Sequence, residues 1–231
     1  MSTQFSLGLD LGQINDYSAL AIVEHVDTLP EGWTIHTWNK RLDDLRRDRQ
    51  WVEPPPLTRQ LHVVHLQRWA LGTPYTEVVE DVVALAARPE LDGSRLYVDQ
   101  SGVGRPVVDL LRHAYLDGRM GNTAPYGRTI TGGDKSGPAG TAKRDLIAAL
   151  EIPLQQGRFK LPKKLPLGDV LRRELAGFKL RLKPTTGHAQ IDIKRAGEGH
   201  GDLVIAAALA CMHPDFNIRP TIKESELAEL I

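Results

Sequence analysis

The segment from Asp202 to Met212, DLVIAAALACM, has no polar residue after its first. A helix that is apolar on nearly all sides must be covered by other elements all round. The pattern therefore predicts a buried helix there, and the rest of the chain has to build the layers that enclose it.

Those layers can be read along the sequence. Phe5–Asp10 (FSLGLD) and Ser18–Glu24 (SALAIVE) read as strands, joined by a turn that carries Gly12, Asn15 and Asp16. Trp33–Trp38 reads as a third strand and Leu61–Leu66 as a further one. Between them the charged stretch Arg41–Pro56 runs into three prolines and reads as an exposed insertion. Val78, Val79, Val82, Val83, Leu85 and Ala86 recur at helical spacing, which predicts a helix over Tyr75–Ala87. Arg95–Asp99 (RLYVD) is a short buried strand. Pro106 suits the first turn of the next helix, which shows Val107, Val108, Leu110, Leu111 and Ala114 on one face. Arg128–Thr131 reads as a strand, and the glycine-rich GGDKSGPAG after it as a mobile loop. Thr141 is placed to cap a helix from Ala142, which Pro153 should end or kink. Leu167–Phe178 reads as a helix, and Lys179–Lys183 with Gln190–Lys194 as a hairpin around a TTG turn. The tail from Pro214 is polar. No internal repeat is present. Strands first, then strands alternating with helices, predict an α/β fold with a mixed central sheet flanked by helices and an added β-hairpin.

The chain has 231 residues, which fits one sizeable α/β domain, expected over 1–213 and followed by a tail at 214–231. Its 29 basic and 29 acidic residues cancel. A neutral total neither favours nor excludes a nucleic-acid partner; clustering of the basic residues decides that. Cys211 is the one cysteine, so no disulfide can form within the chain. It reads as a small buried hydrophobe, which fits a reducing cytoplasm. No apolar stretch approaches the roughly 20 residues that span a bilayer. The opening MSTQFSLGLD lacks the basic start and long apolar run of a signal peptide.

Three carboxylates stand where chemistry would place them. Asp10 and Asp99 each end a strand just before a glycine loop, and Asp202 opens the apolar helix. In α/β sheets, strand ends and the loops beside them are the usual place for a site. Taken singly, each aspartate is as well explained as a turn former or a helix cap. Taken together, they suggest a cluster whose mutual repulsion a divalent cation relieves. Oxygen ligands favour magnesium or manganese over zinc. Two such ions can activate a water and stabilise the leaving oxygen in phosphodiester cleavage. Asp16 is a fourth candidate ligand.

Three segments carry a resemblance. GLDLGQINDYSALAIVE, LYVDQSGVGRPVVDLLR and GHGDLVIAAALA resemble, in this order, the nuclease motifs of phage terminase large subunits. ITGGD and AKRDLIAALEIPLQQGRFKLP between them are similar to family segments too, so the likeness runs from about Phe5 to Met212. The resemblance implies a ribonuclease H-like fold and a metal-dependent endonuclease that cuts concatemeric viral DNA during packaging. It implies Asp10, Asp99 and Asp202 as catalytic metal ligands for two Mg2+ or Mn2+ ions, with Asp16 at a further acidic position. It also implies double-stranded DNA as substrate, and a separate packaging ATPase, a small terminase subunit and a portal as partners. Two departures stand out. Many relatives have a second acidic residue just before the last ligand, where this chain has Gly201 between His200 and Asp202. The chain also has no GxxxxGK[ST] phosphate loop. It is therefore expected to be a separated nuclease domain, a split gene product or a stand-alone relative.

Other groups invite a role. His200 could assist proton transfer or serve only as a hydrogen bonder. Lys143 and Arg144 stand at a predicted helix start, where anions are attracted, or are simply solvated. Arg158, Lys160, Lys163 and Lys164 form one basic cluster. Lys179, Arg181 and Lys183, which share one strand face, form another with Lys194 and Arg195. A basic hairpin can track phosphates without reading sequence, or serve solubility alone. The four tryptophans read as packing residues. Other functional classes stay open: a Holliday-junction resolvase of the same fold, a kinase of the actin-like fold reading Asp10-Leu11-Gly12 as a phosphate motif, and a non-catalytic DNA-binding module.

Overall fold

The computed structural model describes residues 3–12, 16–29, 58–102, 104–132, 136, 140–177 and 201–212. Among these residues seven strands form one mixed sheet: β1 (Thr3–Asp10), β2 (Ala19–Thr28), β3 (Thr58–Arg68), β4 (Arg95–Asp99), β5 (Ala124–Thr131), β6 (Gly140–Ala142) and β7 (Phe159–Lys160), in the order β6-β5-β4-β1-β2-β3-β7. β1, β2 and β3 run antiparallel to their neighbours in that set, whereas β1–β4, β4–β5, β5–β6 and β3–β7 pair in parallel. Five α-helices accompany them among the described residues: α1 (Tyr75–Ala86), α2 (Gly104–Leu116), α3 (Lys143–Gln155), α4 (Gly168–Gly177) and α5 (Asp202–Cys211).

Strand alternation sorts the side chains of the sheet into two cores. Leu7 and Leu9 of β1, with Leu96 and Val98 of β4, pack under Val78 and Val82 of α1 and Val107 and Leu111 of α2. The alternate positions face the other way. There Ala19, Ala21, Val23 and Tyr97 pack with α5, over which lie Leu146 and Leu150 of α3 and Leu171 of α4. The apolar helix is thus sandwiched between the sheet and two further helices. Leu203, Val204 and Ala206–Ala210 are all fully buried. No helix among the described residues is long and apolar enough to cross a membrane.

α5 carries no polar side chain after Asp202 that could cap its C-terminal end, so the end groups there need outside partners. The carbonyl of Ala210 accepts from the buried Ser6 hydroxyl of β1. The His25 imidazole of β2 stands 2.6 Å from the same hydroxyl and 3.2 Å from the same carbonyl.

The predicted elements that fall on described residues are present, several of them longer than expected. β2 continues to Thr28, β3 spans Thr58–Arg68, and β5 begins at Ala124. Pro125 hid the start of β5, yet β6 pairs with that strand only from Thr129, so Pro125 has no neighbour on that side to donate to. Thr141 does not cap a helix. It lies buried in β6, paired with Ile130, and Ala142 precedes α3 with no side-chain cap. Strand pairing overrode the local capping chemistry. Pro153 neither stops the helix at once nor lies outside it: α3 runs two residues further, to Gln155. β6, β7 and a short 3-10 turn at Pro89–Leu91 had no strong local pattern. Trp69 is a packing residue as expected, buried with its indole N–H donating to Asp81 at 2.7 Å. Trp33–Trp38, the stretch Arg41–Pro56, most of the glycine-rich loop, the hairpin and the tail from Pro214 lie outside the described residues.

Candidate functional site

β1 and β4 are parallel neighbours with Leu9 opposite Val98, so the next residues, Asp10 and Asp99, end the two strands side by side. Alternation turns both toward the α5 face: Tyr97, two before Asp99, packs in the α5 core, and Gly8, two before Asp10, lies against α5. Asp202 is the first residue of α5 and is buried. Asp16 sits in the turn between β1 and β2. That turn is anchored from two sides: the Gly12 N–H donates to Ser18 Oγ at 3.2 Å, and the Tyr75 hydroxyl donates to the Gly12 carbonyl at 2.7 Å. Asp99 is oriented by the Ser101 N–H, which donates to Oδ1 at 2.8 Å.

The charges report on the convergence. Burial holds the Asp10 carboxyl well above the usual carboxylate range, and the charges of Asp99, Asp202 and Asp16 push it further up, against a lowering hydrogen bond from the Leu11 backbone. Asp99, Asp202 and Asp16 are thus all near enough for their charges to act on Asp10. The donors of this group are all carboxylate oxygens, which suit a hard divalent cation rather than a thiolate-loving one. Among the described residues no three potential ligands stand close enough to form a finished metal cage.

Gly201, which departs from the expected acidic pattern, precedes α5 at φ +77°. That is the left-handed region, where glycine is favoured over every other residue. Open space surrounds the position of its missing Cβ. Backbone geometry, not crowding, selects the glycine.

One acidic residue escaped the sequence reading. Glu174 of α4 is buried at 8% exposure. Its Oε2 accepts the Val204 N–H at 3.2 Å, and its Oε1 faces Arg68 Nη1 at 3.7 Å. Burial raises its pKa, the charge of Asp202 raises it further, and the Val204 and Leu203 N–H groups and Arg68 pull it back. The signal was in the sequence: Glu174 lies three residues after Leu171, on the same helical face.

The basic residues divide. Lys143 opens α3, partly buried, and Arg144 pairs with Asp145 at 3.4 Å. Arg158 is a structural residue that donates to the Arg59 carbonyl at 2.8 Å. It and Lys160 belong to the β7 edge, three strands away from β1. His200, Lys179, Arg181, Lys183, Lys194 and Arg195 lie outside the described residues.

No protein-family profile matches the chain, and no curated protein matches it in sequence. Solved structures do match. The large terminase nuclease from thermophilic phage G20c superposes with a TM-score of 0.54 at 19% identity, over 93% of this chain and 84% of that one. The HK97 bacteriophage large terminase superposes with a TM-score of 0.45 at 19% identity, over 91% of this chain and 39% of that one. The first likeness shows the fold: the chain shares the ribonuclease H-like architecture of a large terminase nuclease, as its motifs led one to expect.

Proposed function

We propose that the chain is a metal-dependent endonuclease that cleaves double-stranded DNA, with Asp10, Asp99, Asp202 and Asp16 holding two Mg2+ or Mn2+ ions. The observation that carries this reading is the charge environment of Asp10, on which the other three carboxylates all act. Asp10 and Asp99 at the strand ends, Asp202 at the helix start and Asp16 in the turn crowd negative charge that a bound cation would relieve. When bound, a pair of divalent cations supplies an activated water and stabilises the leaving oxygen of a phosphodiester. The chain's own residues do the rest. Asp10 and Asp99 project from rigid neighbouring strands, so their spacing is set by the sheet. Asp202 approaches from the facing helix, and Asp16 from the anchored turn. Ser101 holds the Asp99 carboxylate in one orientation.

The G20c relative is a large terminase nuclease by name. The corresponding role here is cutting viral DNA during packaging, in a host cytoplasm, beside a packaging ATPase carried on another chain or segment, a small subunit and a portal. The basic residues at 179–195 would follow the DNA backbone.

The test is incubation of the purified protein with supercoiled plasmid and magnesium, manganese or EDTA, without ATP. Nicking or linearisation that needs metal, and that falls to the EDTA level in folded Asp10→Asn, Asp99→Asn and Asp202→Asn, is the expected result. Full activity in any of those variants would sink the assignment of that residue.

A further inference from the structure

The N-terminal end of α5 has no local cap: Gly201 precedes it and offers no side chain. First-turn N–H groups of a buried helix must nevertheless find acceptors. Glu174 provides one from a neighbouring helix, taking the Val204 N–H on Oε2. Val204 lies two residues after Asp202, so this bond fixes the turn on which Asp202 stands. The other oxygen faces Arg68, the last residue of β3. The Arg68 guanidinium in turn lies over the Tyr17 ring, 4.3 Å from its centroid, a cation–π contact. Tyr17 is the neighbour of Asp16. A continuous set of contacts therefore joins the helix start that carries Asp202 to the turn that carries Asp16.

We propose that Glu174 is a positioning residue of the acidic cluster: with Arg68 it forms a strut that sets Asp202 against the Asp16 turn. The proposal rests on the nuclease reading and deepens it. A neutral glutamine would serve the Val204 N–H as well as a carboxylate does. A charged group at this place repels Asp202 and is unfavourable for the fold on its own. Its negative charge is useful for holding Arg68, and through it Tyr17, and for adding to the field that draws a cation to Asp202. A side chain that orients a metal ligand from behind commonly changes metal affinity or activity by about 10–100-fold when removed.

The experiment compares the wild-type chain with Glu174→Ala, Glu174→Gln and Arg68→Met. Three quantities are read: the thermal midpoint in EDTA, Mn2+ binding by calorimetry, and kcat and KM for plasmid cleavage. Glu174→Ala is expected to weaken Mn2+ binding and lower kcat by about 10–100-fold, with KM for DNA unchanged. Glu174→Gln, which keeps the bond to Val204 and loses the charge, should fall between, and Arg68→Met should resemble it. Should Glu174→Ala fail to fold, Glu174→Gln carries the comparison. A folded Glu174→Gln that binds Mn2+ and cuts like the wild type overturns the strut alone. A wild-type chain that neither binds Mn2+ nor cuts overturns the nuclease reading, and the strut with it.

Discussion

Gly8 of β1 and Ala206 of α5 meet backbone to backbone: a Cβ on Gly8 would lie 2.0 Å from the Ala206 carbonyl oxygen and 2.6 Å from the Ala210 nitrogen. This contact lets the apolar helix that begins at Asp202 settle directly against β1. Replacing Gly8 by alanine forces α5 away from β1. Overpacking of this kind costs about 1–3 kcal/mol, and backbone on both sides leaves little room to relax. Gly8→Ala should lower the unfolding free energy by that amount or more, read as a fall in the urea midpoint, and lose cleavage even where it folds. An unchanged midpoint in urea would mean that α5 can shift freely.

Asp10 makes the fold sensitive to pH in an unusual sense. Its pKa is raised in the folded chain, so folding favours the protonated form. The contribution to stability is fully present below the unfolded pKa, about 3.9, and is lost as pH rises through the folded value. Asparagine mimics the protonated form at every pH. In EDTA, Asp10→Asn should therefore melt above the wild type near neutral pH, and the gap should close on acidification. A gap that widens towards acid would contradict the crowding of negative charge around Asp10.

Gly201 offers a gain-of-ligand test. Its φ of +77° penalises a side chain, while the space around it is open. A β-carbon there costs roughly 1–2 kcal/mol, and less for aspartate, which tolerates the left-handed region better. Gly201→Ala should lower the melting temperature modestly and leave metal binding alone. Gly201→Asp should lose less stability and bind Mn2+ more tightly by calorimetry. Equal Mn2+ affinity in the two variants would show that position 201 does not face the cluster.

Cys211 closes α5 in the core, where burial pushes its thiol up to about 12. Only the thiolate reacts at a useful rate. An alkylating reagent at mildly alkaline pH should leave the native chain unmodified and label Cys211 fully in denaturant, as mass spectrometry would read. Rapid labelling of the native chain would mean that the helix end opens.

The sequence by itself determined the kinds of element and where the acids stand on them. Alternation in FSLGLD and the short apolar run of RLYVD announced strands ending in aspartate, and DLVIAAALACM announced a helix that had to be enclosed. These are short-range patterns, and a periodicity of two or of 3.6 is visible without knowing any neighbour. What the tertiary structure decided was every relation between segments distant in the chain. It set β4 beside β1, so that Asp10 and Asp99 end together. It drew Thr141 into a strand where local chemistry offered a cap. It supplied both ends of α5 with partners that no window around residue 202 contains, Glu174 at one end and Ser6 with His25 at the other. A buried end group accepts whichever partner packing brings within reach, and that choice depends on the whole core rather than on any stretch of sequence.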